Sequence, residues 1–436
     1  MSLVSDTVSI VLAGGVGSRL RPLTQDRAKP AVPFAGQYRI IDFTLSNCLH
    51  SGLRQVLVLT QYKSHSLQEH LRDTWSVFNP DLGEYITNIP PQQQTGESWY
   101  QGTADAVYQN LFLLRRSGAR FVLILSGDHI YRMDYNKMLA AHHLSEADVT
   151  VGCMNVGLQD AHSFGVVSTD INRRIVSFDE KPARPAPLPQ DSGRALVSMG
   201  IYVFSIDVLL RELENDAADS RSTHDFGSDL LPRVIHTCRV FGYHYGDDQP
   251  CSTDAGYWRD VGSIDSYYQA NMDLLTGRRP LDLYSECWPI RKHERAAPPA
   301  RIDRDGFGTS GVVTDSLMSN GVVVSGGSVN RSVLSTGVRV ASKASVEDCI
   351  LFDDVVVGEG VQLKNCIVDK GVEIPVGESA GLNPSIDAQR FTVSKNGVVV
   401  IPRGYEFTPQ PAKLRPGRTL HPEPTRKPEL ARTSSQ

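Results

Sequence analysis

Apolar positions follow two rhythms along this chain: short continuous runs separated by helical stripes, then a repeat of six residues. Residues 8–13 (VSIVLA), apolar but for Ser9 and bounded by glycine, show the pattern of a buried strand in a parallel sheet. Residues 40–52 (IIDFTLSNCLHSG) read as a helix closed by glycine, and 55–60 (QVLVLT) as a second strand. Residues 64–71 open another helix with Ser64 as its N-cap. Residues 81–101 form a long polar connection, of the kind that carries function in α/β domains. Gly102 and Thr103 then cap an amphipathic helix with Ala104, Val107, Tyr108, Leu111 and Leu114 on one stripe and Gly118 at its end. Residues 120–128 (RFVLILSGD) predict a central strand with Asp128 at its carboxyl end, the edge where open α/β sheets bind ligands. Further strands are predicted at 148–156, 164–168, 175–178 and 198–204. The alternation predicts an α/β fold with a Rossmann-like, mostly parallel sheet.

From Gly311 the helical stripes vanish, and Val338, Ala344, Ile350, Val356, Gln362, Val368 and Ile374 recur every six residues. That period predicts a parallel β-helix, with a small β-sandwich as the alternative. Residues 283–305, with Pro289, Pro298 and Pro299, read as a linker, and the Pro-, Arg- and Lys-rich chain beyond Phe407 as disordered. The expected division is a catalytic domain at 1–290, a linker at 291–310, a β-helix at 311–407 and a tail at 408–436.

At 436 residues the chain exceeds one compact core, and 40% hydrophobic with 21% charged residues suits a globular protein. No window resembles a membrane span or a secretory signal. Cys48, Cys153, Cys238, Cys251, Cys287, Cys349 and Cys366 are scattered without C-x-x-C pairs, so reduced thiols in a cytoplasm are expected and a zinc site is not. A net charge of −5 argues against non-specific nucleic-acid binding.

Local chemistry changes this picture. Gly14, Gly15 and Gly17 follow the first strand at once, where backbone N–H groups can wrap an anion. Arg19, Arg21 and Lys29 place three cations just downstream. Leu20 stands where a dinucleotide fingerprint needs its third glycine, and no Gly-Lys-Ser/Thr closes a Walker loop. Asp128 beside a phosphate site is a candidate Mg²⁺ ligand. Asp260 is a second carboxylate, set in an aromatic and apolar segment, and needs a strong partner. Glu180 and Lys181 are adjacent and on an extended chain point to opposite sides, which by itself reads as a solvated turn.

The stretch Leu12, Ala13, Gly14, Gly15, Gly17, Arg19, Leu20, Leu23, Thr24, Lys29, Pro30 resembles the signature of sugar-1-phosphate nucleotidyltransferases. With RAKPAVPF, RIIDFTLSN, TQYKSHSL, WYQGTADAV, GDHIYRMDY, FGVV, EKPA, SMGIYVF, HDFG, YWRDVG and WPIR in order, residues 8–405 resemble the bacterial glucose-1-phosphate adenylyltransferases. The resemblance implies a GT-A-like nucleotidyltransferase domain followed by a left-handed β-helix, a homotetramer, and transfer from ATP to glucose 1-phosphate with Mg²⁺, the committed step of glycogen synthesis. By that resemblance Asp128 and Asp260 are the metal ligands, and Arg19 and Lys29 hold the triphosphate. Leu12, Ala13, Gly14, Gly15, Gly17, Gly102 and Thr103 line the nucleotide. Tyr100, Gly165, Glu180, Lys181 and Ser198 take glucose 1-phosphate. Arg39 matches an effector contact, and Gln92 and Trp99 match positions that transmit activation. A sugar-phosphate or pyruvate activator and a nucleotide inhibitor are implied. Asp26 departs from the pattern, standing where some relatives carry a basic activator-binding residue, and a carboxylate repels a sugar phosphate.

Three alternatives remain at this level. One is a sister enzyme using UTP, dTTP or GTP, and another is a catalytically weak regulatory subunit. The third is a bifunctional acyltransferase, disfavoured because no histidine lies between Gly311 and Tyr405.

Overall fold

Strand β1 (Thr7–Ala13), the apolar run ahead of the glycine loop, lies in the interior of the main sheet. The computed structural model describes residues 2–92, 99–246, 256–277, 280–292 and 295–407. The remaining sheet strands are β2 (Gln55–Thr60), β3 (Tyr85–Ile89) and β4 (Phe121–Ser126). A short strand β5 (His129–Tyr131) comes next, then β6 (Val149–Gly157), β7 (Gly165–Thr169), β8 (Ile175–Glu180), β9 (Arg194–Ser205) and β10 (Val240–His244). Finally β11 (Trp258–Asp260) pairs antiparallel with β5, outside the main sheet. Among the described residues the main sheet has nine strands, in the order β8-β7-β9-β4-β1-β2-β3, with β6 on β9 and β10 on β6. The pairs β1–β2, β1–β4 and β2–β3 are parallel, and β9 runs antiparallel to β4, β6 and β7.

The α-helices of the part that holds this sheet are α1 (Ile40–His50), α2 (His65–Trp75), α3 (Thr103–Tyr108), α4 (Leu111–Ser117), α5 (Tyr135–Leu144), α6 (Ile206–Ala218), α7 (Leu231–Thr237) and α8 (Ile264–Asp273). Alternate strand residues point to opposite faces, and each face has its own core. Val8, Ile10, Val122 and Ile124 pack with Val107, Leu111, Leu209 and Val234 of α3, α4, α6 and α7. Val11, Ala13, Leu123 and Leu125 pack with Ile41, Leu45, Leu67 and Met138 of α1, α2 and α5. The apolar runs are continuous because both faces are covered.

Four local expectations are corrected. The polar connection at 81–101 contains β3, an edge strand whose half-exposed residues give no apolar run. The single helix expected from 103 breaks into α3 and α4, because Asn110 Nδ2 takes the Ala106 carbonyl at 2.8 Å and competes with the helical ladder. Ser64 precedes α2 but makes no side-chain cap, being itself in the helical region. Five cysteines are free and buried, but exposed Cys287 is disulfide-bonded, so reduced thiols throughout are not what the chain shows.

The C-terminal part is a stack of short parallel strands on three faces, as expected for a β-helix. Val323, Arg339, Val356 and Glu373 are successive register partners, so a coil takes 16 or 17 residues, not 18. A strict hexad therefore slips by one residue per coil, and each one-residue slip turns side chains to the other face. Val338, Ala344, Ile350, Val368 and Ile374 are buried, but Val356 is half-buried and Gln362 exposed. The inward columns are Val324, Val340, Val357, Ile374 and Val329, Val346, Leu363, Ala380. The first strand, Arg301–Asp303, pairs with Val323–Ser325 from inside the stretch read as linker. On the third face Val333, Ile350, Ile367 and Val400 pack against Leu20, Leu23, Phe34, Phe43 and Tyr267. Residues up to Tyr405 accordingly form one compact unit. The predicted disordered tail from 408 lies outside the described residues.

Candidate active site

At the carboxyl ends of β1 and β4 the chain opens into a cleft of about 600 Å³. Leu12, Gly14, Gly15 and Arg19 form one part of its lining, and Tyr100, Gly102 and Thr103 another. Gly165, Glu180, Lys181 and Ser198 line it as well, with Asp128 and Asp260. The sequence-predicted residues from seven separate segments thus meet around one space.

Four expected residues do not line it: Ala13, Gly17, Arg21 and Lys29, the last of which lies beneath its floor. Ala13 is buried behind the loop, because its side chain falls on the core face of β1. Gly17, at φ +63, faces Thr24 and Lys29 rather than the opening, and its carbonyl accepts Thr24 Oγ1 at 2.8 Å. Arg21 is exposed and outside the lining.

Lys29 is buried beneath the cleft floor and bridges the two carboxylates. Its Nζ lies 2.7 Å from Asp128 Oδ2 and 3.1 Å from Asp260 Oδ1. Asp128 comes from the end of β4 and Asp260 from β11, so the pair closes only in the folded chain. Burial works to raise the Asp128 pKa, but Lys29 and then His129 outweigh it and hold the carboxyl well below the usual range. Burial works to lower the Lys29 pKa, and Asp128 and Asp260 overcome it and raise it. His129 is lowered, because burial outweighs both carboxylates. Exposed Arg19 stands nearby: a Cβ placed on Gly262 would meet its Nη2 at 3.1 Å and Asp260 Oδ2 at 2.9 Å.

Glu180 and Lys181 depart from the expectation that they diverge. Lys181 takes φ +46 as β8 ends, and its ammonium pairs with Glu180 Oε1. Ser198 sits at a register shift of β9 before Tyr202, where Gly200 at φ +69 turns the strand edge into the cleft. At the start of α3, Thr103 Oγ1 donates to Asp225 Oδ2 at 2.8 Å, and the N–H groups of Ala104 and Asp105 go to the His224 carbonyl. That helix N-terminus is already satisfied by protein.

Several lining residues were not singled out from sequence: Gln61, His129, Asp225, Phe226, Gly227 and Trp258. All lie within the quoted motifs, and that was their signal. His129 Nδ1 and Trp258 Nε1 are buried without a partner among the described residues, leaving polar groups at the cleft wall for a ligand.

The three residues linked to regulation lie elsewhere. Trp99 is exposed and stacks on Tyr62, a lining residue, with centroids 6.3 Å apart. Gln92 is exposed and bonds to its own Pro90 carbonyl. Arg39 lines a second, smaller cavity with Lys370, Asp353 and Arg295, between the sheet and the β-helix. Burial lowers the Arg39 and Lys370 pKa values there despite nearby carboxylates. Asp26 is exposed and is not among that cavity's lining residues.

A glycine loop, a facing carboxylate pair and a Glu-Lys wall at the edge of a mostly parallel sheet define a nucleotidyltransferase. The family model described as Nucleotidyl transferase matches residues 8–277, and the model for a GlmU-like C-terminal hexapeptide matches 298–401. Glucose-1-phosphate adenylyltransferase 2 of Vibrio cholerae is 53% identical over 93% of this chain and 100% of its own length. The enzyme of the same name from Vibrio vulnificus is 56% identical, again over 93% of this chain and 100% of its own length. Glucose-1-phosphate adenylyltransferase of Methylobacillus flagellatus is 47% identical over 92% of this chain and 94% of its own. The chain belongs to the glucose-1-phosphate adenylyltransferase family.

Proposed function

We propose that this chain joins ATP and α-D-glucose 1-phosphate into ADP-glucose and diphosphate, as the committed step of glycogen synthesis. The observation that carries the reading is the bridged pair Asp128–Lys29–Asp260 on the floor of a single cleft. The glycine loop and Arg19 take the triphosphate, Gly102 and Thr103 flank the nucleotide, and Lys181 and Glu180 take the sugar phosphate. Two carboxylates already converging on one ammonium fit a divalent cation, and Mg²⁺ suits a site with few protein ligands that shares substrate phosphates. Bound there, Mg²⁺ would neutralise the phosphates.

The rest is positioning. A phosphate oxygen of glucose 1-phosphate attacks the α-phosphorus of ATP in line, and diphosphate leaves. The nucleophile is already an anion, so no side chain need remove a proton. Arg19 and Lys29 meet the charge that builds on the departing diphosphate, and Lys181 with Glu180 aligns the attacking group.

The same reading includes a homotetramer in a cytoplasm; no helix among the described residues is long and apolar enough to cross a membrane. It also includes an anionic effector. Two cations, Arg39 and Lys370, lining the second cavity support a sugar-phosphate or pyruvate activator, or a nucleotide inhibitor, there. Asp26 lies outside that lining, so it weakens this proposal less than its sequence position implies.

The test is diphosphate release from glucose 1-phosphate and Mg²⁺ with ATP, UTP, dTTP and GTP in parallel. Each is run with and without fructose 6-phosphate, fructose 1,6-bisphosphate and pyruvate. ATP-only turnover, raised by one metabolite, is expected. Turnover with UTP or dTTP alone would overturn the nucleotide assignment, and no turnover with any would favour a regulatory subunit.

A further inference from the structure

His224 lies outside the cleft lining, yet residues 102–105 of the cleft wall meet its carbonyl and residues 225–227 of that wall follow it directly. Its backbone is held at φ +58, in the left-handed region that few non-glycine residues occupy, Asn, Asp and His more often than the others. In that conformation its carbonyl accepts the N–H of Ala104 at 2.8 Å and of Asp105 at 3.3 Å. The fit is close: a Cβ on Gly102 would stand 2.2 Å from the same oxygen. The next residue, Asp225, accepts Thr103 Oγ1, Gly227 N and Ser228 N. Gly227 in turn backs the Glu180 carboxylate, since a Cβ there would come within 2.7 Å of Glu180 Oε2.

What holds His224 in place is a buried carboxylate on α6. Asp216, 2% exposed, lies 2.9 Å from His224 Nδ1 through Oδ2. Its Oδ1 accepts Ser222 Oγ at 2.8 Å, and that hydroxyl oxygen accepts the His224 N–H at 2.9 Å. Both the side chain and the backbone of His224 are therefore tied to one anion, with Arg233 Nη1 3.6 Å from it. The mechanism uses neither His224 nor Asp216.

We propose that His224 is a positioning residue for the sugar half of the cleft, acting through its bond to Asp216 on the wall formed by Asp225 and Gly227. This rests on the reading that Glu180 and Lys181 take glucose 1-phosphate. Helix α3 is anchored by buried Ala104 and Val107 and residues 225–227 by buried Phe226, but it is Gly227 of the latched segment that stands against Glu180, so the sugar side is affected more than the nucleotide side.

The test compares His224→Asn, His224→Gly and Asp216→Asn with wild type in steady-state kinetics and thermal melts. Asn and Gly both tolerate a positive φ, so the loop conformation is kept while the bond to Asp216 is removed or weakened. The expected result is a KM for glucose 1-phosphate raised about tenfold, as for loss of one charge-assisted hydrogen bond. The KM for ATP stays within about twofold. An unchanged KM for glucose 1-phosphate overturns the proposal, as does an equal rise for both substrates with a lowered Tm. Should Asp216→Asn not fold, His224→Gly decides. Lys181→Ala run alongside separates the two levels. If it raises the KM for glucose 1-phosphate and the His224 variants do not, the latch fails and the substrate reading stands. If Lys181→Ala has no such effect, the substrate reading falls and the latch with it.

Discussion

Lys29 is a buried ammonium balanced by two carboxylates, and that balance makes the cleft floor usable. Two aspartates facing one another alone would repel, and one would protonate. With Lys29 between them, the depressed Asp128 pKa keeps that carboxylate ionised wherever the enzyme works. Asp128→Asn should lower kcat by a factor on the order of 10² or more while the protein stays folded. Near-normal turnover would remove Asp128 from the metal site. The pair also sets a pH dependence of stability. An unfolded aspartate titrates near about 3.9, and the folded Asp128 value lies below this, so its contribution is present above about pH 3.9 and lost as pH falls through the folded value. Lys29 works in the opposite sense: its folded value is raised, so its share is fully present below the unfolded value of about 10.4 and lost as pH rises through the higher folded value. The Tm difference between wild type and Asp128→Asn should thus be flat from about pH 5 to 9 and shrink below about pH 4. A difference that grows in acid would contradict the ion pair.

Elements reach the site through their ends. β1 ends in the glycine loop, β4 in Asp128, β8 in Glu180, and β9 turns inward at Gly200. α3 differs, since its first turn is occupied by the His224 carbonyl and the Thr103 hydroxyl by the Asp225 loop. This close approach explains Gly102 without invoking a ligand. Gly102→Ala would drive a methyl group into the backbone of residues 223 and 224, which cannot rotate away. It should cost about 1–3 kcal/mol or more, read from urea denaturation. A neutral effect would mean that the two segments separate easily.

At the scale of the whole molecule, the β-helix is joined to the catalytic part by apolar packing, by hydrogen bonds such as Tyr268 Oη to the Asp348 carbonyl, and by a buried ion pair. Arg27 Nη2 lies 2.8 Å from Asp369 Oδ1, each side chain no more than 5% exposed. Arg27 also lies two residues before Lys29. Asp369→Ala strands a buried guanidinium and should cost about 3–5 kcal/mol. Arg27→Met with Asp369→Leu should recover most of that, because the desolvation penalty of both charges goes with them. Chemical denaturation of the two variants measures the difference, and an unaltered Asp369→Ala would show the pair to be dispensable. Since Leu20, Phe34 and Tyr267 share a core with Ile350 and Ile367, both parts should melt in a single calorimetric transition.

The sequence by itself determined the kind of fold and named most of the residues that gather at the cleft. Short β-branched apolar runs bounded by glycine fit strands buried on both faces, and glycines followed by cations can be read without a third dimension. It also determined the family, because motif order survives where geometry is unknown. What the tertiary structure alone decided are relations between distant segments. These include the Lys29 bridge between Asp128 and Asp260, the His224 carbonyl seated in α3, and Arg27 reaching Asp369. Local periodicity misled where tertiary contact ruled. The hexad slipped because each coil takes 16 or 17 residues, and one helix broke where Asn110 found a nearer carbonyl. Glu180 and Lys181, read as diverging on an extended chain, meet because Lys181 leaves the extended region. The physical reason is common to all of these: hydrophobic pattern is set by neighbours in sequence, whereas charge pairing and close backbone contact are set by neighbours in space.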